Sequence, residues 1–224
     1  MKLPTRPTDD ATLFRRAIYA EIRSKHPRFV EAVLADARLT ASLRGERADF
    51  RSAFDAFVHV LRLAVVTDAF VAQIAYRGKA SLQARGVPLL PRLLHRVAMV
   101  TSQVSIGDPV VIQPGMYLLH GQVVIDGLVE IGGGAVIAPW VTIGLVAPDI
   151  QGPTVGPFVN IGTGAKVLGP VTVGARARIG ANAVVLSDVP AGATAVGIPA
   201  RLVGADLSTD PVPQPPEPQM EATP

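Results

Sequence analysis

One histidine stands apart in the second half of the sequence. His120 is the only histidine among residues 101–204, and Gly121 follows it directly. An imidazole titrates close to neutral pH, so a histidine beside an acceptor can take a proton from a hydroxyl or an amine as a general base. A histidine at a surface turn can also do no more than hydrogen-bond a neighbour. Residue type and spacing alone leave both interpretations open.

The segments that must position His120 repeat every six residues. Thirteen aliphatic residues recur in this way between residues 104 and 185, and glycine follows seven of them. A period of six fits neither an amphipathic helix nor an open strand, but it fits a triangular coil in which each unit forms one strand and one turn. Stacked coils form a parallel β-helix with an aliphatic interior. The positions are Ile106, Ile112, Leu118, Ile125, Ile131, Ile137, Ile143, Val155, Ile161, Val167, Val173, Ile179 and Val185.

The six-residue count is interrupted twice, and insertions in solenoid proteins usually mark the working face. The step from Leu118 to Ile125 is seven residues instead of six, and His120 lies in this longer turn. The second interruption is LVAPDIQGPT at residues 145–154, which predicts a loop that leaves the coil.

Helical patterns fill the first hundred residues. Thr8, Asp9 and Asp10 predict a cap for a first helix that carries Phe14, Ile18 and Ile22, and four more helices are predicted at about 27–43, 50–65, 69–83 and 89–101. The third has an apolar stripe of Phe50, Phe54, Phe57, Val58, Leu61 and Val65. Because the end of a solenoid needs a cap, these helices could cover the open first coil.

The pattern as a whole predicts an α+β protein. We expect an N-terminal helical domain at residues 1–101, a β-helix domain at 102–204 and a disordered, Pro-rich acidic tail at 205–224.

Composition limits the class of function. The chain contains no cysteine, which excludes disulfides, thiolate metal sites and a thiol nucleophile. Residues 1–100 hold 17 of the 21 Lys and Arg, but at helical spacing among apolar residues, so we expect a solvated or subunit-facing surface and no nucleic-acid binding. No apolar leader is visible, and Asp68 interrupts the most apolar helical stretch. We therefore expect a cytoplasmic protein without a membrane span.

Two stretches resemble bacterial serine acetyltransferases. The first, from about residue 70 to residue 120, contains AYRGKASLQARG, PLLPRLLHRVAMVTSQ and VSIGDPVVIQPGMYLLHG. The second, residues 161–204, is IGTGAKVLGPVTVGARARIGANAVVLSDVPAGATAVGIPARLVG. The resemblance implies a left-handed β-helix, transfer of an acetyl group from acetyl-CoA to the hydroxyl of serine, and His120 as general base.

The same resemblance implies the remaining components of the site. It implies no metal cofactor and an active site between neighbouring β-helices, hence a homotrimer, which the helical domain of the family often pairs into a hexamer. It also implies a CoA groove between coils at Gly144, Thr163, Gly164, Ala165 and Ala181.

The chain departs from the family where the acceptor binds and the base is oriented. Ser105 stands at the position of the aspartate that orients the catalytic histidine, and Asp108 is a candidate substitute. Leu119 stands where an aspartate helps to hold serine, and Gln151 falls on half of an Arg-His pair in a shortened loop. Asp55 corresponds loosely to another substrate-side aspartate. These changes affect the binding of the acceptor substrate more than the binding of the acetyl donor, acetyl-CoA.

Three functions therefore remain open. The first is a serine acetyltransferase-like enzyme that acts on serine or, given the departures, on another small hydroxyl or amino acceptor. The second is an acyltransferase for a sugar or an antibiotic, and the third is a non-catalytic trimeric scaffold. A zinc enzyme of the γ-carbonic anhydrase type needs three histidines, and the predicted β-helix offers one.

The C-terminal residues differ from those of the family. There the C-terminus binds the next enzyme of cysteine synthesis through a terminal Ile, whereas this sequence ends in Glu-Ala-Thr-Pro. A stable complex with that partner is therefore doubtful.

Overall fold

The computed structural model describes residues 9–203, with the side chains of residues 17–203. The helices of this part are α1 (Asp9–Lys25), α2 (Phe29–Leu43), α3 (Ala53–Val66), α4 (Phe70–Ala84) and α5 (Leu90–Ser102). Their bounds agree with the predicted ones to within a few residues. The predicted Thr8 cap and the predicted disordered tail lie outside the described residues.

Fifteen short strands follow and form three flat faces. Face A holds β1 (Ser105–Ile106), β4 (Val124–Asp126), β7 (Thr142–Gly144), β10 (Lys166–Leu168) and β13 (Val184–Val185). Face B holds β2 (Val111–Ile112), β5 (Leu128–Ile131), β8 (Gln151–Val155) and β11 (Thr172–Val173). Face C holds β3 (Tyr117–Leu118), β6 (Val136–Ile137), β9 (Asn160–Ile161), β12 (Arg178–Ile179), β14 (Thr194–Val196) and β15 (Arg201–Val203). Neighbouring strands are parallel except for β14 and β15, so the predicted parallel β-helix is confirmed.

The thirteen six-spaced residues all point into the β-helix. Each has at most 2% of its surface exposed. The strand register stacks them coil on coil, as for Ile106 on Ile125 and Ile125 on Ile143. Burial of each aliphatic side chain contributes about 1.5–3 kcal/mol to folding, so this column holds the coils together.

The second interruption of the repeat is a shorter loop than predicted. The sequence predicted a loop over residues 145–154, but Gln151–Val155 forms β8 on face B and the loop spans only residues 145–150. A register shift between β5 and β8 accommodates Pro153, which has no N–H to donate. Gly152 is needed there because a Cβ would lie 2.5 Å from a side-chain carbon of Val129. Because of this bulge, counting six residues at a time along the sequence does not reveal the repeat here.

Buried polar side chains of the helices close the open edge of the first coil. Gln73, Tyr76, Arg77 and Lys79 of α4 are each at most 3% exposed. Gln73 donates to the carbonyl oxygen of Met116, and Tyr76 donates to that of Val110. Arg77 donates to the carbonyl oxygens of Ile112 and Gln113, and Lys79 donates to that of Ile106. Burial raises the pKa of Tyr76 to about 12, so the phenol keeps the proton that it donates. These bonds replace those that a preceding coil would make, and the predicted capping role of the helices is confirmed.

The apolar stripe of α3 faces outward. Phe54, Phe57 and Val65 are 76%, 61% and 78% exposed, whereas Ala56 and Leu63 on the opposite side are buried. The described part of the chain thus leaves an apolar surface uncovered on this helix. No single described helix is long and apolar enough to cross a membrane; α3 and α4 pass such a test only together, and they are bent by 119° at their junction.

Candidate active site

The turn that carries His120 lies where α5 meets the first coil. Residues 119–123 turn the corner from β3 to β4, and Gln122 adopts a left-handed conformation with φ of 59°. The backbone N–H of Gln122 donates to the carbonyl oxygen of Ser102 at 3.0 Å. Gly121 packs against the same carbonyl so closely that a Cβ would lie 1.7 Å from its oxygen. Glycine is therefore required immediately after His120.

His120 is hydrogen-bonded to a carboxylate that the sequence did not place in the site. Its Nδ1 lies 2.6 Å from Oδ2 of Asp68, in the junction between α3 and α4. Because a carboxylate only accepts hydrogen bonds, this contact places the ring N–H on Nδ1 and the lone pair of the neutral ring on Nε2. The two side chains are 59% and 70% exposed. The pair can therefore take a proton from a group on its open side.

Ser102, the last residue of α5, connects the two segments that carry this pair. Its hydroxyl donates to the carbonyl oxygen of Asp68 at 2.6 Å, while its own carbonyl accepts the N–H of Gln122. Ser102 is only 7% exposed, so water competes little for either bond. One buried residue thus fixes the backbone on both sides of the pair.

A cavity of about 550 Å³ lies beside the pair. Val100 and Trp140 give it an apolar wall, although they are 83% and 58% exposed. Apart from the imidazole, Asp68 is its one ionisable lining group, so the lining residues include no cation for a carboxylate. The full lining is Asp68, Val100, Thr101, Ser102, Gln103, His120, Gly121, Gln122, Pro139 and Trp140.

The residues predicted to orient His120 lie elsewhere. Asp108 Oδ1 forms an ion pair with Nζ of the buried Lys79 at 2.9 Å. Burial would raise the pKa of Asp108, but the hydrogen bond and the charge of Lys79 outweigh it and hold that pKa below its usual value. Ser105 lies on β1, where its backbone pairs with β4. The partner of His120 is therefore Asp68, and the expectation that Asp108 orients it is corrected.

The predicted substrate residues do not line the cavity of this chain. Asp55, at the start of α3, is held by both terminal nitrogens of Arg47 at 2.7 and 3.0 Å. These hydrogen bonds keep the pKa of Asp55 well below its usual range. Gln151 is exposed at the start of β8, and Leu119 is half-buried next to His120 in the chain.

Three of the five predicted CoA residues share a corner with His120. The N–H of Trp140 donates to Gln122 of the preceding coil at 2.9 Å, and successive coils continue this ladder through Gly164 and Asn182. Thr163, Gly164 and Ala181 therefore stack in line with the His120 turn. We call this column, residues 120–122, 139–140, 163–164 and 181–182, the His120 corner.

The other two predicted CoA residues lie away from this corner. Gly144 is the last residue of β7, so it lies across face A from this corner, and its carbonyl accepts the N–H of Gly169 at 2.8 Å. Ala165 is 0% exposed inside the β-helix, so its side chain has no surface to offer a ligand.

Comparison with known proteins agrees with this architecture. Residues 152–187 match the family described as bacterial transferase hexapeptide (six repeats). No curated protein matches the chain significantly by sequence. Among solved structures, the soybean serine acetyltransferase apoenzyme is 30% identical, and the match covers 86% of this chain and 74% of that chain with a TM-score of 0.65. The chain belongs to the serine acetyltransferase family.

Two further serine acetyltransferase structures are similar. One, from Neisseria gonorrhoeae in complex with serine, is 27% identical, with 83% of this chain and 73% of that chain covered and a TM-score of 0.64. The other, in complex with CoA, is 29% identical, with 84% and 75% covered and a TM-score of 0.65. This serine acetyltransferase family member is an acyltransferase with the left-handed β-helix of its class.

Sequence reasoning missed Asp68, Ser102 and Trp140 in this family member. The signal for Asp68 was an isolated charge at the junction of two apolar helices. Trp140 is the only tryptophan of the chain, and it occupies a turn of the repeat with φ of 65°. Ser102 gave no signal, because its role depends on contacts with two segments that are distant in sequence.

Proposed function

We propose that the protein is a CoA-dependent O-acetyltransferase that transfers acetyl from acetyl-CoA to the hydroxyl of serine or a related small acceptor. The observation that carries the proposal is His120 on the wall of a cavity, with Nδ1 held 2.6 Å from Asp68. Family membership supplies the class of reaction. The relatives that bind serine and CoA support the two substrates.

The proposed reaction starts with Nε2 of His120 as general base. It takes the hydroxyl proton while the acceptor oxygen forms a bond to the carbonyl carbon of the thioester. The tetrahedral intermediate then loses the sulfur of CoA, which leaves as a thiol after the imidazolium returns the proton. Backbone N–H groups at the coil corners are our candidates for stabilising the oxyanion.

CoA would bind along the His120 corner. Thr163 and Ala181 are exposed there, and Gly164 follows Thr163 in the same turn. This arrangement allows the extended arm of CoA to run across successive coils toward His120. Gly144 and Ala165 stay predictions from the family resemblance, and contacts to Gly144 would require the ligand to cross face A.

One observation favours a different acceptor. Free serine carries a carboxylate that needs a cationic partner in its site, and the cavity lining contains none. Leu119 also replaces the family aspartate that helps to hold serine. Trp140 and Val100 instead offer apolar surface to the acceptor. A sugar or antibiotic hydroxyl or amine is therefore the second candidate.

We also propose a homotrimer with the site between neighbouring β-helices. His120, Asp68 and Trp140 are more than half exposed in the single chain, and a neighbouring β-helix would shield them from water. The outward stripe of α3 is our candidate for a surface that pairs two trimers. Light scattering should give three times the chain mass for a lone trimer. It should give six times for a paired one, which Phe57→Glu should reduce to three times.

The function is tested by the release of CoA thiol from acetyl-CoA with L-serine and with a panel of small hydroxyl and amino acceptors. His120→Ala should abolish transfer, while calorimetry should show CoA affinity nearly unchanged. Substantial residual turnover in His120→Ala would contradict the general-base assignment. Turnover on another acceptor but not on serine would favour the sugar or antibiotic acceptor. No turnover on any acceptor, with CoA still bound, would favour a non-catalytic relative.

A further inference from the structure

We propose that Asp68 is the positioning residue for His120, so that the helical domain supplies the carboxylate on which the base depends. This inference rests on the proposed function, since it assigns Asp68 a role in the same proton transfer. Three features carry it: the contact itself, the anchoring of both partners, and the engagement of nearby carboxylates elsewhere.

The contact between Asp68 and His120 is short and directed at one ring nitrogen. The distance of 2.6 Å is just below the range of about 2.7–2.9 Å expected for hydrogen bonds between charged groups. It joins residues 52 positions apart, one from the α3–α4 junction and one from the first coil. The bond fixes the tautomer that exposes the lone pair of Nε2, and the carboxylate stabilises the imidazolium that forms when Nε2 takes a proton.

The backbone around Asp68 is anchored although its carboxylate is exposed. On one side, the N–H and the hydroxyl of Thr67 both donate to the carbonyl of Leu63 at 3.1 and 2.8 Å. On the other side, Ala69 is fully buried in the main core. Ser102 binds the carbonyl of Asp68 itself. The carboxylate therefore projects from a fixed backbone toward the solvent-exposed imidazole.

Two carboxylates of the first two coils are held by other groups. Asp108 pairs with Lys79 at 2.9 Å, and Glu130 pairs with Lys25 at 2.6 Å. Asp68 is the carboxylate that contacts the imidazole in the folded chain. It comes from a different domain than the histidine.

The alternative role for Asp68 follows from its place in the cavity lining. In that role it binds the ammonium group of an acceptor and acts on affinity alone. The two roles predict different kinetics, since a positioning residue changes kcat and a binding residue changes the KM for the acceptor.

The experiment compares Asp68→Asn, Asp68→Ala and Asp68→Glu with the wild type and with Asp49→Asn. Asp49 is an exposed aspartate of the helical domain away from the cavity, so it controls for loss of charge. We expect kcat to fall about 100-fold in Asp68→Asn and Asp68→Ala, within the range of general-base contributions. The KM values for acetyl-CoA and the acceptor should hardly change, and Asp68→Glu should recover to within about tenfold of wild type.

A second measurement does not depend on activity. The chain has four histidines, so nitrogen-15 shifts of selectively labelled imidazoles can be assigned with the aid of His120→Gln. In the wild type at a pH where the ring is neutral, His120 should carry its proton on Nδ1. In Asp68→Ala it should become a mixture of the two tautomers, and Asp49→Asn should leave it unchanged.

The two measurements separate the possible failures. An unchanged tautomer together with an unchanged kcat would overturn the positioning role. A raised acceptor KM with unchanged kcat and tautomer would overturn it in favour of acceptor binding. If the wild type transfers no acetyl group to any acceptor, the proposed function fails by itself, and the tautomer in Asp68→Ala still decides whether Asp68 fixes the ring.

Discussion

The carbonyl oxygen of Ser102 occupies the space that a side chain on Gly121 would need. An added Cβ on Gly121 would lie 1.7 Å from that oxygen and 2.7 Å from the carbonyl carbon, both atoms of the backbone. Because backbone at the end of α5 cannot rotate away as a side chain can, the chain tolerates only glycine here. The close approach brings the His120 turn against the helical domain.

Replacement of Gly121 by alanine should therefore damage the site and the fold together. We expect Gly121→Ala to lose about 2 kcal/mol of unfolding free energy or more and to lose acetyl transfer as His120 moves from Asp68. Urea denaturation at fixed protein concentration and the thiol-release assay measure the two effects. Gly78→Ala is the control, since its Cβ would lie close only to the flexible ends of side chains, Leu94 at 2.9 Å and Phe29 at 3.8 Å. Equal losses in the two variants would refute the explanation.

The hydroxyl of Ser102 should matter less for stability than for activity. Ser102→Ala removes the bond to the carbonyl of Asp68, which should cost about 1 kcal/mol and let the α3–α4 junction shift. We expect kcat to fall roughly tenfold while the KM for acetyl-CoA is retained. Ser24→Ala removes an exposed hydroxyl that also donates to a carbonyl, at 2.7 Å from Glu21, and should leave kcat unchanged. A normal kcat in Ser102→Ala would show that the junction holds Asp68 without this bond.

Much of the fold could be predicted because each position of the repeat has the same physical environment. A six-residue period forces every sixth aliphatic side chain into the interior, and residues such as Ile137 and Val167 are 0% exposed as a result. The five helices followed from their apolar spacing in the same way. Gly152 and Pro153 broke the period, so the strand that they belong to was mistaken for a loop.

The candidate site was only partly predictable. His120 was marked by the longer turn, whereas Thr163, Gly164 and Ala181 were predicted only from the resemblance to the family. The contact between Asp68 and His120 could not be predicted, because it depends on how α4 docks on the first coil. The α3 stripe shows the same limit: an apolar pattern identifies a face, but it does not identify what covers that face.

The ion pair between Asp36 and Arg77 should be essential to folding. The two side chains are 1% and 3% exposed, and Asp36 also accepts the N–H groups of Gly115 and Met116 at 3.0 and 2.8 Å. Asp36→Asn leaves the guanidinium buried without a counter-charge, which should cost about 3–5 kcal/mol. Urea denaturation at fixed protein concentration measures this loss.

An exposed ion pair provides the comparison for this prediction. Nζ of Lys25 lies 2.6 Å from Oε1 of Glu130, and the two side chains are 39% and 51% exposed. Glu130→Gln should cost less than about 1 kcal/mol, because water already screens the pair. Similar losses in Asp36→Asn and Glu130→Gln would contradict the view that burial decides the difference.

Stability should fall in mild acid through His26. Burial, with the charges of Arg77 and Lys79, lowers the pKa of this histidine from 6.5 to about 4, and its Nδ1 is buried without a partner among the described residues. Between those two values the unfolded chain binds a proton that the folded chain does not, so the stabilisation present above pH 6.5 is lost as the pH falls toward 4. Solvent screening of this partly exposed ring leaves an effect of about 1–2 kcal/mol.

The variant that tests this pH dependence is His26→Gln. Its unfolding free energy should fall less than that of the wild type between pH 7.5 and pH 5, by about 1–2 kcal/mol. The difference between the two proteins at pH 7.5 gives the packing cost of the substitution and serves as the internal control. Parallel curves for wild type and variant would assign the acid sensitivity to other groups.

The position of the orienting carboxylate should be exchangeable between the two domains. Ser105 lies on face A of the first coil, with its neighbour Ile106 pointing inward, so a side chain at position 105 points outward. The family carries its orienting aspartate at this position. Asp68→Ala should lower kcat about 100-fold. The double variant with Asp68→Ala and Ser105→Asp should have a kcat at least about tenfold higher than Asp68→Ala alone. Ser105→Ala in the same background is the control and should restore nothing. If Ser105→Asp fails while the double variant folds and binds CoA normally, the His120 turn itself has moved toward the helices, and the carboxylate can be supplied only from Asp68.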